Sequence, residues 1–181
     1  VLTQKQKQNL IRFFESGAPI VFLHHSILSY REWDLFPEIL GGRYYGKTPK
    51  NVWNTLLVPE NYKKWTAVFC ADSYFTGELK SGGRVHFLTP DGNGMYSDVV
   101  FYTPNKNVLF MHIGDVVNFE EQPLNEDSEK WTGAFEGYTL KEKDGKILLI
   151  AEVDLTPNDK VRYDEIFPGG LEKIKEMAEE R

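Results

Sequence analysis

Four histidines, one cysteine and a spread of carboxylates are the side chains here that could move protons, hold a metal or attack a substrate. His24 and His25 follow the apolar run Pro19-Ile-Val-Phe-Leu23. The carboxyl end of a buried strand is where open α/β sheets place ligands, and a histidine there serves as general base or metal ligand. The partner groups such a site needs are missing around this pair, so it reads as packed histidine. Arg43 after Gly41-Gly42 carries the charge to hold an anion, and reads as a solvated arginine at a strand edge. His86 and His112 fall on predicted strands, where a metal would want a third ligand such as Asp98, Asp115 or Glu136. No tight spacing joins them, and both read as half-buried polar residues. Cys70, in Val68-Phe-Cys-Ala-Asp-Ser-Tyr74, has no adjacent base to lower its pKa and reads as a buried structural thiol. Lys80-Ser-Gly-Gly83 and Asp91-Gly-Asn-Gly94 are glycine-rich, but neither opens a helix, so they read as hairpin turns and not as phosphate cradles. No catalytic residue, metal site or cofactor is expected.

Binding is the stronger reading. Aromatic residues make up 14% of the chain, and bulky rings either fill a core or line a cavity. The candidate ligand-binding set is Trp65, Phe69, Phe75, Phe87, Met111, Trp131, Phe135, Tyr138, Phe167 and Leu171. Strand parity puts Trp131 and Phe135 on one face, and Val85 and Phe87 on one face.

Two different patterns must position these residues. Thr3 to Ser16 has a helical apolar stripe, Pro19 to Leu23 reads as a buried strand, and Trp33 to Leu40 as a second helix. A lone parallel strand has no sheet to join. Pro49–Leu57 and Pro59–Trp65 read as short helices with proline at their starts. Strand-like runs separated by turn signals follow: 74–79, 84–88, 95–102, 108–113, 131–140 and 147–155. The polar stretch from Glu120 to Lys130 reads as a loop. Hairpin spacing without intervening helices predicts an antiparallel sheet. A terminal helix runs from about Asn158 to Glu180, its apolar stripe being Val161, Ile166, Phe167, Leu171, Ile174 and Met177, with a kink expected at Pro168-Gly169-Gly170. Its interleaved Glu and Lys residues form a solvated outer face. The fold class is therefore α+β, a curved antiparallel sheet against one long terminal helix. One helix cannot cover such a sheet completely, which leaves room for a cavity between them.

The composition removes whole classes. The 181 residues hold one ordinary core, and 27% charged residues with ample Leu, Ile, Val and Phe exclude disorder. A formal charge of -6 argues against nucleic acid and anionic lipid as partners. No apolar run approaches the roughly 18 residues of a membrane span. A single cysteine excludes an intrachain disulfide, which fits a reducing, cytoplasmic location. The chain begins at Val1 without methionine, which reads as a processed start or part of a longer product.

From residue 48 to 181 the chain resembles the SRPBCC (START/Bet v 1-like) superfamily, in the branch related to the activator of the heat shock protein 90 ATPase. The resemblance lies in "PKNVWNTLLVPENYKKWTA", "GELKSGGRVHFLTPDGNGM", "KWTGAFEGYTL" and the final "FPGGLEKIKEMAEE". It implies a helix-grip fold with an apolar cavity between sheet and C-terminal helix, and a small hydrophobic ligand. It implies no single reaction. A co-chaperone role toward the heat shock protein 90 ATPase is the alternative that the branch suggests. Residues 1–47, with "GAPIVFLHHSILSYREWDLFPEILGGRYYGK", resemble a fragment of a ThuA-like (trehalose utilisation) domain, in which His24-His25 match the place of an amidotransferase nucleophile. That fragment raises a sugar-metabolism protein as a third reading. The first strand usual in SRPBCC domains is largely missing, and Gly42–Lys47 is the stretch expected to substitute for it. The orphan strand Pro19–Leu23 is expected to pair with another chain, giving a homodimer, or with the domain's own sheet edge.

Overall fold

The structure is a computed structural model that describes residues 3–6, 8, 43–45, 48–143 and 145–180. The chain divides into two compact units, Val1–Leu40 and Gly41–Arg181. In the first, residues 4–6 and 8 are helical, and Thr3 opens this helix with a reciprocal cap. The Gln6 amide donates to Thr3 Oγ1 at 3.3 Å while the Thr3 amide donates to Gln6 Oε1 at 2.8 Å. The predicted strand Pro19–Leu23, the helix Trp33–Leu40 and the His24-His25 pair lie outside the described residues.

Among its described residues the second unit is one antiparallel sheet and three α-helices. Its strands are β1 (Arg43–Tyr45), β2 (Tyr74–Gly77), β3 (Arg84–Leu88), β4 (Gly94–Thr103), β5 (Asn107–Val117), β6 (Glu120–Glu121), β7 (Phe135–Lys143) and β8 (Lys146–Val153). They lie in the order β1-β8-β7-β5-β4-β3-β2, with β6 paired to the end of β5. Short turns join the successive strands β2 to β5, and β7 to β8, as the turn signals predicted. β1 pairs with β8, Tyr44 opposite Leu148, so residues 43–45 take the edge place expected of Gly42–Lys47. Arg43 sits on this edge strand opposite Leu149.

Helix α1 (Pro49–Leu57) starts where Thr48 accepts the Asn51 amide and proline fills the first turn. Helix α2 (Pro59–Trp65) follows after one residue and tightens into a 3-10 turn over Thr66–Val68. Helix α3 (Pro157–Glu179) continues through Pro168-Gly169-Gly170, the place where the kink was expected. Its buried face is Leu171, Ile174, Met177 and Ala178. Gly170 is the point of close approach: a Cβ there would lie 3.2 Å from Phe69 Cε2.

The core joins that helix face to Val52, Trp53, Leu56 and Leu57 of α1 and to one face of the sheet. From the sheet come Val85, Val99, Val108, Phe110, Tyr138, Leu140, Ile147, Leu149 and Ala151. Each fully buried aliphatic side chain of this kind contributes about 1.5–3 kcal/mol relative to exposure. A second cluster, Leu88, Tyr96 and Val116 with Tyr74 and Ile113, covers part of the other face.

Two irregularities between β4 and β5 decide which residues meet the core. Tyr96 pairs with Gly114 and Ser97 with His112, so Ile113 is an extra residue in β5. Val99 pairs with Phe110 and Phe101 with Leu109, so Val100 is an extra residue in β4. Each bulge reverses the local alternation. Ser97, Val99, Phe110 and His112 therefore share the inner side, while Tyr96 turns outward over Gly114, where a Cβ would meet its ring at 2.9 Å.

Three expectations are corrected here. The segment from Trp131 is not strand: Ser128–Lys130 is a 3-10 turn, Trp131 closes it by donating its amide to the Ser128 carbonyl, and β7 begins only at Phe135. The loop from Glu120 to Lys130 contains that turn and the two-residue strand β6. Cys70 is exposed, because it lies in the turn that leaves α2 and not on an element with a core face.

Candidate functional site

The inner face of β7 carries alternating residues Glu136, Tyr138 and Leu140. Pairing with β5 sets Glu136 opposite Phe110, one pair from the place where His112 leaves the ladder to bond with the loop before β7. The His112 amide donates to the Ala134 carbonyl, and its own carbonyl accepts from Gly133, both at 2.8 Å. The β4–β5 bulge at Ile113 brings Ser97 beside the same histidine.

A hydrogen-bonded chain results. Ser97 Oγ lies 2.8 Å from His112 Nδ1. His112 Nε2 lies 3.5 Å from Glu136 Oε2. The Tyr138 hydroxyl donates to Glu136 Oε1 at 2.5 Å. Burial pushes the Glu136 carboxyl up, but the hydrogen bond and charge of His112 and the Tyr138 hydroxyl outweigh it and hold the carboxyl below its ordinary range. The opposite holds for the phenols around it. Burial first, then the Glu136 charge, raises Tyr62 and Tyr138 well above the ordinary phenol value. Tyr163 on α3 is raised by the same two causes. At neutral pH the site is thus one carboxylate among protonated phenols.

Aromatic rings enclose this group. Tyr62 on α2 meets Trp65 at 5.3 Å between centroids, and Phe75 on β2 at 4.9 Å. Trp65 meets Tyr138 at 6.3 Å and is fixed by donating its indole N–H to the Leu56 carbonyl at 3.0 Å. Phe69 meets Tyr163 and Phe167 of α3, each at 5.8 Å. The Phe87 ring stands edge-on to Phe110 at 5.1 Å and near His112 at 6.3 Å. Trp65 and Tyr138 are buried, whereas Tyr62, Phe69, Phe87, Tyr163 and Phe167 keep part of their surface open. The Glu136 side chain is 23% exposed.

The predicted ligand-binding residues divide accordingly. Trp65, Tyr138 and Leu171 lie in the core, and Phe69, Phe87 and Phe167 pack against it. Phe75 joins through Tyr62 and Phe87. Met111 and Phe135 do not join: they face each other across β5 and β7 on the outer side, and Phe135 is 39% exposed. Alternation on β7 requires this, because Tyr138 points inward and Phe135 has the opposite parity. Trp131, in its 3-10 turn, is outside both hydrophobic clusters, so it does not share a strand face with Phe135. Sequence reasoning missed Tyr62, Ser97 and Tyr163. It weighed His112 and Glu136 only as metal ligands, and no group of three or more metal-ligating side chains occurs among the described residues. The signal for Tyr62 was its place in the 59–65 helix, three residues before Trp65. The signal for Ser97 was absent, since an unforeseen bulge places it.

His86 belongs to a separate network on the outer face. Its Nε2 lies 2.8 Å from Glu121 Oε1, and Arg84 reaches Glu121 Oε2 and Asp98 Oδ1, both also at 2.8 Å. The Arg84 guanidinium lies 4.9 Å from the centre of the Tyr96 ring. These side chains are largely solvated, and such pairs contribute at most about 1 kcal/mol each.

No family model and no curated protein matches the chain. Solved structures do. The Aha1 dimer from Colwellia psychrerythraea superposes with a TM-score of 0.57 at 18% identity, over 76% of this chain and 92% of that one. CalU16 from Micromonospora echinospora gives 0.52 at 13% identity over 76% and 73%. Protein MLL2253 from Mesorhizobium loti gives 0.54 at 15% identity over 75% and 92%. The fold is thus a helix-grip fold, an antiparallel sheet gripping a long C-terminal helix. Among the described residues no helix is long and apolar enough to cross a membrane.

Proposed function

We propose that residues 41–181 form a binding module for a small, largely apolar molecule held between α2, α3 and the sheet. The observation that carries this reading is that the rings of Tyr62, Phe69, Tyr163 and Phe167, on α2, the turn after it and α3, stay half-buried, while Glu136 on the inner face of β7 stays partly exposed. A core built only for stability gains by closing over such rings, because each square ångström of apolar surface left open forfeits about 25 cal/mol. Thermal unfolding across a set of apolar ligands tests it. A ligand present at one hundred times its Kd stabilises by about 2.7 kcal/mol. Filling the recess by Gly170→Leu, beside Phe69, should abolish that gain in a variant that still folds. Absence of stabilisation by any member of a broad set sinks the reading.

A second reading is co-chaperone action on the heat shock protein 90 ATPase. The likeness to the Aha1 dimer and the branch resemblance of residues 48–181 favour it. The assay is ATPase stimulation with the protein in excess. An unchanged rate at high excess removes this option.

A further inference from the structure

Asn93-Gly94 is the one Asn-Gly pair in the chain. Without a Cβ to shield it, a glycine nitrogen is well placed to attack the side-chain amide of a preceding asparagine. The fold needs both residues where they stand. A Cβ on Gly94 would lie 1.9 Å from the Phe87 carbonyl oxygen, so only glycine lets β4 start this close to β3. Asn93 clasps two turns together. Its Nδ2 donates to Asp91 Oδ2 at 2.8 Å within the β3–β4 turn, and its Oδ1 accepts the Asn118 amide of the β5–β6 turn at 3.1 Å. Its own amide donates to Asp91 Oδ1 at 3.3 Å. Beside these bonds the Phe119 amide donates to the Gly92 carbonyl at 2.8 Å, and the Phe119 ring covers Gly92. Asn118 and Phe119 hold φ angles of 51° and 69°, left-handed values that cost strain in a residue with a Cβ. The Thr89 hydroxyl and the Asn93 donors keep the exposed Asp91 carboxyl below its ordinary range, so it is an anion at neutral pH. A side-chain amide pinned at both ends resists the rotation that brings its carbon onto the next nitrogen. An aspartate in its place keeps the acceptor for Asn118 but sets a second carboxylate against Asp91.

We propose that Asn93 is a gated deamidation site, slow while the clasp is closed, whose product opens the clasp permanently. In the first step the Gly94 nitrogen bonds to Asn93 Cγ and the Cγ–Nδ2 bond breaks. Nδ2 leaves as ammonia with the proton from the Gly94 nitrogen, and a cyclic imide remains. Water then opens the ring at either carbonyl, giving aspartate or isoaspartate; water is the only reactant that enters. Either product faces Asp91 with like charge. Isoaspartate also lengthens the backbone where the Thr89 amide bonds to the Asn93 carbonyl at 2.8 Å. The left-handed Asn118-Phe119 turn then loses its anchor and its strain is released. This site is independent of the ligand reading above.

The test incubates the whole chain at pH 7, native and in guanidinium chloride, and follows each asparagine by peptide mass mapping. In denaturant Asn93 should convert faster than any other asparagine. The native rate should be at least about tenfold lower, because reaction then waits on local opening. Asp91→Ala frees one end of the Asn93 side chain and should raise the native rate at least about fivefold. Asn93→Asp installs one product directly. It should erase the nuclear Overhauser contacts between the Phe119 ring and Gly92 while leaving those between α3 and the sheet. Adding Asp91→Asn to that variant removes the like charge and should restore them. A native rate equal to the denatured one, an Asp91→Ala rate no faster than the parent's, or intact Phe119–Gly92 contacts in Asn93→Asp each overturns the inference. If Asp91→Ala fails to fold, the parent's native-to-denatured ratio and the Asn93→Asp contacts decide alone.

Discussion

Replacing Tyr138 by phenylalanine removes one oxygen from the centre of the site and leaves the ring in place. That oxygen donates to Glu136 Oε1 at 2.5 Å, with the Tyr138 side chain in the core and the carboxyl deep beside it. A hydrogen bond to an ionised group in such surroundings contributes about 1.5–3 kcal/mol, because its loss leaves a charge without its donor. For a chain of this size each kcal/mol moves Tm by about 2–4 °C, so the fall should be roughly 3–12 °C. The effect must also depend on pH. The folded Glu136 carboxyl is held below its ordinary 4.5, against the upward push of burial, by His112 and by this hydroxyl. A depressed folded pKa contributes stability that is complete above the unfolded pKa and is lost as pH falls through the folded one. Tyr138→Phe removes one of the depressing groups, so the variant's carboxyl titrates at a higher pH than the parent's. The stability gap between the two proteins should be full at pH 7 and narrow as pH falls below 4.5. Tyr62, Tyr163 and His112, the other titratable groups close to Glu136, are unchanged in both proteins and cancel in the difference. Urea unfolding at pH 7, 5 and 4 measures the gap, and the same substitution made in Glu136→Gln closes a double-mutant cycle. A gap under about 0.5 kcal/mol at pH 7, or one of equal size at pH 4, refutes the claim that this hydroxyl stabilises an ionised carboxylate.

Three further outcomes follow from particular contacts. Ile174→Ala on α3, whose side chain is fully buried in the core, should cost about 2–5 kcal/mol by urea unfolding with an unchanged m-value. Adjacent glycines on α3 should respond in opposite directions: Gly169→Ala, with nothing within 4 Å of its new Cβ, should raise stability by roughly 0.5–1 kcal/mol. Gly170→Leu, which drives atoms into Phe69 and Val68, should lower it by about 1–3 kcal/mol, and a loss at both positions would contradict the packing of α3. Cys70 is exposed, so a thiol reagent should label one equivalent in the native protein as fast as in urea; protection in the native state contradicts its placement.

The elements that were legible share one property, a strong local signal. Thr48-Pro49 and Val58-Pro59 announced two helix starts, and glycine turns announced the hairpins from β2 to β4. The helix-grip layout followed from that order. The site was half legible because its inward residues depend on alternation, and alternation fails at bulges. Parity counted without Ile113 and Val100 cannot tell that Ser97 and Tyr102 face the same core. The same counting, begun too early at Trp131, put Phe135 inside, although β7 starts at Phe135 and turns Glu136 inward instead. A polar residue inward on a core strand is what composition-based reading penalises, so Glu136 and His112 were weighed only as ligands for a metal. Tyr163 lies between Val161 and Ile166 of the apolar stripe without belonging to it, and its role depends on the Phe69 contact across from α2.

That inward carboxylate is costly for the fold. A buried ionised group with one close donor loses more solvation than a single hydrogen bond returns, and apolar replacements of similar volume are often neutral or stabilising. The surrounding core supplies what an apolar packing would need: Val99, Phe110, Leu140 and Leu149 occupy the neighbouring inward positions with almost no exposure. Stability therefore does not account for Glu136, His112, Ser97 and Tyr138 in one patch. What the patch adds is direction. A wholly apolar recess accepts any molecule of suitable size in several orientations, because the hydrophobic effect is non-directional. In the binding reading proposed above, the partly exposed Glu136 carboxylate supplies a fixed polar point for one end of the ligand. On this argument Glu136→Leu alone, which strands the buried Tyr138 hydroxyl and His112, should lower stability, whereas joint replacement (Glu136→Leu, Tyr138→Phe, His112→Leu) should leave the fold as stable as the parent, or more so, and should widen the range of apolar ligands bound. A large loss of stability in the joint variant, with no change in selectivity, would place the carboxylate among structural groups and remove its role in recognition.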